Sequence, residues 1–214
     1  MDIPKQPEHT KRRKLWGRTQ SHPLSTYQKD LLEKGLTQFT FDPVSDFIPD
    51  VLEIGFGDGE HFIQNFMTHK GENFLGCEPF LNGNVNILEV IYEKGLKNVR
   101  LFQDDVHLIL EKLMDDSLSK VYVLFPDPWP KKRHQKRRIL NRAFMEKLHL
   151  KMKKGGALIM ASDDPEYQAF IQEEAATLNT KLKLLEITIP PYTKYARKAE
   201  KAGRTSYMYI YEAF

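Results

Sequence analysis

From about residue 50 onward, short apolar runs alternate with amphipathic stretches. The runs are Val51–Ile54, Phe74–Cys77, Val99–Phe102, 121–125 and 157–161. Between them, apolar residues recur every three or four positions near 60–68, 84–94, 106–114, 139–153 and 165–178. Four or five apolar residues in a row suit a strand buried on both faces, and the 3.6-residue recurrence suits a helix. Leu140, Phe144 and Leu148 fall at i, i+4 and i+8 and are expected in the core. Strand and helix in alternation predict a parallel sheet covered on both faces. Two later runs, 182–189 and 206–214, show no helical pattern between them and are expected to pair antiparallel at an edge. The expected class is α/β, with a seven-stranded, mostly parallel sheet.

Residues 1–48 read differently. They are polar, basic and broken by proline, with a short helix expected near 27–34. This segment is expected to drape over the domain formed by 49–214, or to meet a partner. At 214 residues and 41% hydrophobic composition, the chain can build a full core. One cysteine, Cys77, allows no disulfide within the chain and no cysteine-rich metal site, so no metal is expected. The N-terminus lacks an apolar leader core, and no run of about 18 apolar residues occurs, so a cytoplasmic location without membrane contact is expected.

Net charge is only +3, but its distribution is uneven. Residues 11–18, 131–138 and 194–204 hold half of the 32 Lys and Arg. The remainder is net acidic. Three basic clusters on an acidic body point to a polyanion partner.

Ligands of open α/β sheets bind beyond the carboxyl ends of the strands. After the first run comes Glu53-Ile54-Gly55-Phe56-Gly57-Asp58-Gly59-Glu60. Glycines at 55, 57 and 59 permit a tight turn and close approach of backbone to a ligand. A dinucleotide fingerprint needs its third glycine where Glu60 stands. Glu53, Asp58 and Glu60 would serve a pyrophosphate poorly and a cationic or neutral group well. That departure also argues against a nicotinamide-dependent dehydrogenase. Glu78, after the second run, is placed to accept both hydroxyls of a ribose. Asp104, after the third, suits either an adenine amino group or a helix N-cap. A nucleoside with a positive centre and no phosphate is S-adenosylmethionine, and this edge matches that of Rossmann-like methyltransferases.

The fourth run leads into Pro126-Asp127-Pro128-Trp129-Pro130. The prolines restrict their neighbours and are expected to hold Asp127 and Trp129 extended. Asp127 is then a preorganised carboxylate at the centre of the sheet edge. A ring nitrogen such as guanine N7 has no proton to lose, so the carboxylate's contribution is electrostatic. Trp129 suits either base stacking or packing over the cofactor mouth. His61, His69, His107 and His149 lack metal-ligand spacing and read as surface or helix-face residues.

The segments LEIGFGDGE (52–60), FPDPWPKKRHQKRR (125–138), ASDDPEY (161–167) and TKY (193–195) resemble the bacterial tRNA (guanine-N7)-methyltransferase family, as does GRTQ (17–20). The resemblance implies transfer of methyl from S-adenosylmethionine to guanosine 46 of the tRNA variable loop. It implies cofactor contacts from Glu53, Gly55, Gly57, Glu78, Asp104 and Asp127, with Asp127 catalytic. It places Lys131, Asp163, Thr193, Lys194 and Tyr195 at substrate positions. Arg133, His134, Lys136, Arg137 and Arg138 fall on the RNA-contacting segment. Asp163 also suits a cap for the helix from 165. The fourth position of the T-K-Y motif is usually Glu, and here it is Ala196. The alternatives are a non-catalytic RNA-binding module on a methyltransferase-like shell, or methylation of another base. No obligatory protein partner is implied, and monomer and homodimer are both open.

Overall fold

A computed structural model of the chain describes residues 19–191 and 193–214. The basic cluster at 11–18, and Gly17 and Arg18 of the GRTQ segment, lie outside the described residues. Seven strands form one sheet: β1 (Val51–Ile54), β2 (Phe74–Cys77), β3 (Val99–Phe102), β4 (Leu118–Leu124), β5 (Met152–Ser162), β6 (Leu182–Thr188) and β7 (Tyr207–Ala213). Their order is β3-β2-β1-β4-β5-β7-β6. Neighbours among β1–β5 pair parallel, while β7 pairs antiparallel with both β5 and β6. The expected antiparallel pair is present, and its later strand lies inside the sheet.

Among the described residues, seven α-helices accompany the strands: α1 (Thr26–Phe39), α2 (Glu60–Thr68), α3 (Leu81–Lys94), α4 (His107–Leu110), α5 (Arg142–Lys151), α6 (Pro165–Ala176) and α7 (Lys194–Lys201). α1 extends the helix expected near 27–34 at both ends. Ser25 and Gln28 cap it reciprocally, each side chain bonding the other's backbone N–H.

β1 and β2 are buried at every position because helices cover both faces. On one face α1, α2 and α3 bring Leu36, Phe62, Phe66, Ile87 and Ile91 against Val51, Phe74 and Val99. On the other, α4, α5 and α6 bring Leu110, Phe144, Leu148 and Ile171 against Leu52, Leu75 and Leu158. Each large apolar side chain buried this way contributes about 1.5–3 kcal/mol. The expected stripe of Leu140, Phe144 and Leu148 is in this core.

Three elements differ from expectation. α4 is a single turn rather than a helix over 106–114. Its chain loosens into turns and reaches Asp116 in the left-handed region, φ 53°, before β4 begins. α5 stops at Lys151, and β5 starts at Met152 rather than 157. β5 sets Lys153-Lys154-Gly155-Gly156 against the single residue Ser119, Met152 pairing with Leu118 and Ala157 with Lys120. Gly155, φ 80°, makes this bulge possible. Finally, α7 stands between β6 and β7, where no helix was expected. Ala199 is its one buried residue, and its apolar side is made mostly of alanines set among charged residues, which do not read as a core stripe.

Candidate active site

The chain leaves the centre of the sheet in opposite directions, β1 to β3 one way and β4 to β6 the other. A cleft of about 770 Å³ opens at that switch point, at the carboxyl ends of β1 and β4. Such a volume suits a nucleoside-sized ligand. Gly55, Gly57, Asp58, Glu78, Asp104, Asp105, Asp127, Trp129, Lys136, Arg137, Arg138, Lys194 and Tyr195 all line it.

The glycine turn is built for closeness. Gly55, Gly57 and Gly59 take φ of 74°, 56° and 87°, which side chains resist. α3 presses on it from behind, since a Cβ on Gly83 would stand 1.7 Å from the Gly57 carbonyl oxygen. Glu78 holds the turn in place. Its Oε2 accepts the Gly57 N–H at 2.7 Å and its Oε1 accepts the Phe80 N–H at 2.9 Å. Burial pushes the Glu78 carboxyl above its ordinary value, and the two N–H donors pull part of the way back. Each oxygen retains a lone pair for a further donor.

The N-cap position of α4 is Val106, without a side-chain cap, and it is Asp105 rather than Asp104 that takes up a first-turn N–H. Asp105 Oδ1 accepts the His107 N–H at 3.0 Å and lies 2.6 Å from His107 Nδ1. Asp104 accepts the Asp105 N–H at 2.8 Å and lines the cleft beside it. Asp105, which shares the end of the third run with Asp104, extends that wall, as does His107, which the sequence did not single out for the site.

Asp127 stands at the mouth, reached by solvent yet flanked by chain. Its partial burial raises the carboxyl above the ordinary aspartate value. The proline segment differs from expectation at Trp129, which has φ 46° rather than an extended backbone. Phe125 has φ 52°, and both residues precede proline. A following proline disfavours the right-handed helical region, and the tight loop takes the left-handed one instead. Positive φ on two aromatic residues stores strain at this loop.

Arg138 secures the loop from below. It is 4% exposed, donates from Nε to the Pro128 carbonyl at 2.8 Å, and pairs with Glu166 at 2.9 Å. Its guanidinium lies over the rings of Tyr167 and Phe170. That burial sets it apart from Lys131, Arg133 and Lys136, which are exposed on a 3₁₀ turn and its approach. Arg137 lies 4.9 Å over Trp129, and His134 meets the same ring edge-on.

Glu53 does not line the cleft. It is 2% exposed, below the glycine turn, with Oε2 2.7 Å from His61 Nδ1. Burial pushes its carboxyl up, against the pull of His61. His61 also packs on Tyr122, so it is an inward group rather than a surface one. Asp163 lies outside the cleft lining and pairs with Arg204 at 2.7 Å. The cap of α6 expected of it is made by Asp164, which accepts the Tyr167 N–H at 2.8 Å. Thr193 caps α7, its hydroxyl accepting the Ala196 N–H. At the other end of the chain, Thr19 and Ser21 also wall the cleft. The Thr19 carbonyl accepts the Leu81 N–H at 2.8 Å, and Asn82 Oδ1 accepts the Ser21 N–H at 2.9 Å.

A family model described as "Putative methyltransferase" matches residues 48–209. The tRNA (guanine-N(7)-)-methyltransferase of Zymomonas mobilis is 42% identical over 164 residues, covering 72% of this chain and 71% of the relative. The enzyme of that name from Granulibacter bethesdensis is 35% identical over 207 residues, covering 89% and 91%. The chain belongs to the tRNA (guanine-N7)-methyltransferase family. Among solved structures, an antibiotic-related methyltransferase superposes with TM-score 0.57 at 17% identity, covering 92% of this chain and 98% of that one. An rRNA methylase from Streptococcus thermophilus gives 0.55 at 12%, covering 91% and 98%. These likenesses establish the Rossmann-like methyltransferase fold. For this family member, the fold gathers Gly55, Gly57, Glu78, Asp104, Asp127, Lys136, Arg137, Lys194 and Tyr195 on one wall, and leaves Glu53, Lys131, Asp163 and Thr193 off it.

Proposed function

We propose that the protein transfers a methyl group from S-adenosylmethionine to N7 of a guanosine in tRNA, guanosine 46 of the variable loop being the position the sequence resemblance implies. One observation carries this reading: carboxylates from three strand ends and a phosphate-averse glycine turn share a cleft with the proline-held Asp127 and the basic turn.

The cleft's chemistry fits the cofactor. Its walls present the carboxylates of Asp58, Glu78, Asp104 and Asp127, and the Lys194 ammonium at the glycine turn is paired with Asp58. Glu78 would accept the ribose hydroxyls, Asp104 would take the amino group of the adenine, and the backbone of Gly55 and Gly57, which line the cleft without side chains, would lie against the bound nucleoside. Glu53 supports the turn from below, held by His61. Bound there, S-adenosylmethionine supplies an electrophilic methyl on a positively charged sulfur. Asp127 stabilises the positive charge that appears on the purine as N7 takes the methyl, and no proton need be abstracted. Lys131, Arg133, His134, Lys136 and Arg137 meet the phosphates next to the reacting base, and these contacts position the RNA. Arg138 acts on the same loop from inside. Thr193, Lys194, Tyr195 and Asp163 border the approach of the substrate.

The test is methyl transfer to unmethylated total tRNA. Purified protein is expected to label guanosine and to leave a site that breaks after reduction and aniline treatment. Label on adenine or cytosine overturns the choice of base, and cofactor binding with no transfer to any tRNA overturns the enzyme.

A further inference from the structure

Asp58 and Glu60 were expected to surround a cationic group of the cofactor, yet both carboxylates reach toward α7. Glu60 Oε2 accepts the backbone N–H of Lys194 at 2.6 Å. The two Glu60 oxygens also accept from Arg197 at 2.8 and 3.0 Å. Asp58 pairs with the Lys194 ammonium. A carboxylate at the first turn of a helix also meets the positive end of its dipole. The acids beside the glycine turn therefore hold the beginning of a helix more than 130 residues further along the chain.

Ala199 is the one buried residue of that helix, and Thr193 caps its first turn. Single exposed ion pairs are weak and screened by salt, so the grip of Asp58 and Glu60 lies in their combination with the acceptance of the Lys194 N–H. Tyr195 of α7 touches both halves of the site. The hydroxyl would lie 3.1 Å from a Cβ at Gly57, and the ring stacks on Phe125 at 6.1 Å, two residues before Asp127. Ala196, which offers no carboxylate of its own, sits between the two residues that Glu60 grips.

We propose that Asp58 and Glu60 are positioning residues that latch α7 over the cleft, so that the cofactor turn sets the placement of Lys194 and Tyr195 against the tRNA. The inference rests on the methyltransferase reading for its kinetic consequence, while the latch itself is a property of the free protein.

Two readouts separate these. Hydrogen exchange of the full-length protein is expected to show faster exchange across 194–201 in Glu60→Ala than in wild type, with the β1–β5 amides unchanged. In tRNA methylation, Glu60→Ala is expected to raise the KM for tRNA roughly tenfold, with kcat and the affinity for S-adenosylmethionine within about twofold, the pattern of lost uniform binding. Glu60→Gln, which keeps an acceptor for the Lys194 N–H but loses the charge that meets Arg197, is expected to fall between wild type and Glu60→Ala in both readouts. Unchanged exchange across 194–201 overturns the latch. Faster exchange with an unaltered tRNA KM overturns the positioning role. Faster exchange in a protein that methylates no tRNA leaves the latch standing and removes the function proposed above.

Discussion

At the scale of the residue, the site is a set of carboxylates kept apart by different surroundings. Glu78 is buried and raised, yet two N–H donors stabilise its ionised form. Ribose hydroxyls bind the carboxylate better than the acid. As pH falls through the raised Glu78 value, the group takes a proton and cofactor affinity is lost. That loss is expected to begin above the ordinary glutamate value of about 4.3. Calorimetric titration as the pH is lowered from 7 toward the ordinary glutamate range is expected to show it in wild type and not in Glu78→Gln, whose affinity at pH 7 is lower by about 1.5–3 kcal/mol. Equal affinities at pH 7 would remove Glu78 from the ribose site. The acids were readable in the sequence because each follows an apolar run. Their division of labour was not, since Glu53, Asp58 and Glu60 look alike in a string and differ only in which neighbour they face.

At the scale of the element, the four-residue strands were legible to the residue, because apolar runs bounded by glycine and acids leave little choice of register. α7 was illegible for the opposite reason. Its few apolar positions, Tyr195, Ala196 and Ala199, are mostly small and stand among charged residues, so its basic residues passed for an unstructured cluster. The bulge in β5 hid likewise, since the Lys153–Gly156 stretch resembles a loop while the strand runs through it. α3 shows how tightly elements are matched at the site. Gly83→Ala puts a methyl group into the Gly57 carbonyl. Helix and turn must separate, at a cost of about 1–3 kcal/mol. Thermal denaturation is expected to show a lower midpoint, and cofactor binding should weaken with it. An unchanged midpoint would mean that the turn yields freely.

At the scale of the molecule, a net charge near zero conceals a two-faced surface, acidic around the glycine turn and basic beyond the proline loop. If the exposed part of the basic run meets phosphates, tRNA affinity falls with salt, with a log–log slope of about −0.7 to −0.9 per phosphate neutralised. Arg133→Glu with Lys136→Glu is expected to flatten that slope. Arg138→Ala is expected to leave the slope alone and lower stability by about 1–3 kcal/mol, because it strips a buried partner from Pro128 and Glu166. Reading the run as one block of charge placed Arg138 with its neighbours. Only the fold shows that its side chain turns inward.

The central claim is that Asp127, delivered by β4 to the cleft and held by its prolines, assists the transfer itself. Single-turnover methylation of unmethylated tRNA by wild type and Asp127→Ala, with tRNA binding measured alongside, tests it most directly. The expected result is a transfer rate lower by about a hundredfold or more in the variant, the scale of a lost electrostatic stabiliser, with tRNA affinity within about threefold of wild type. Equal single-turnover rates would contradict the account.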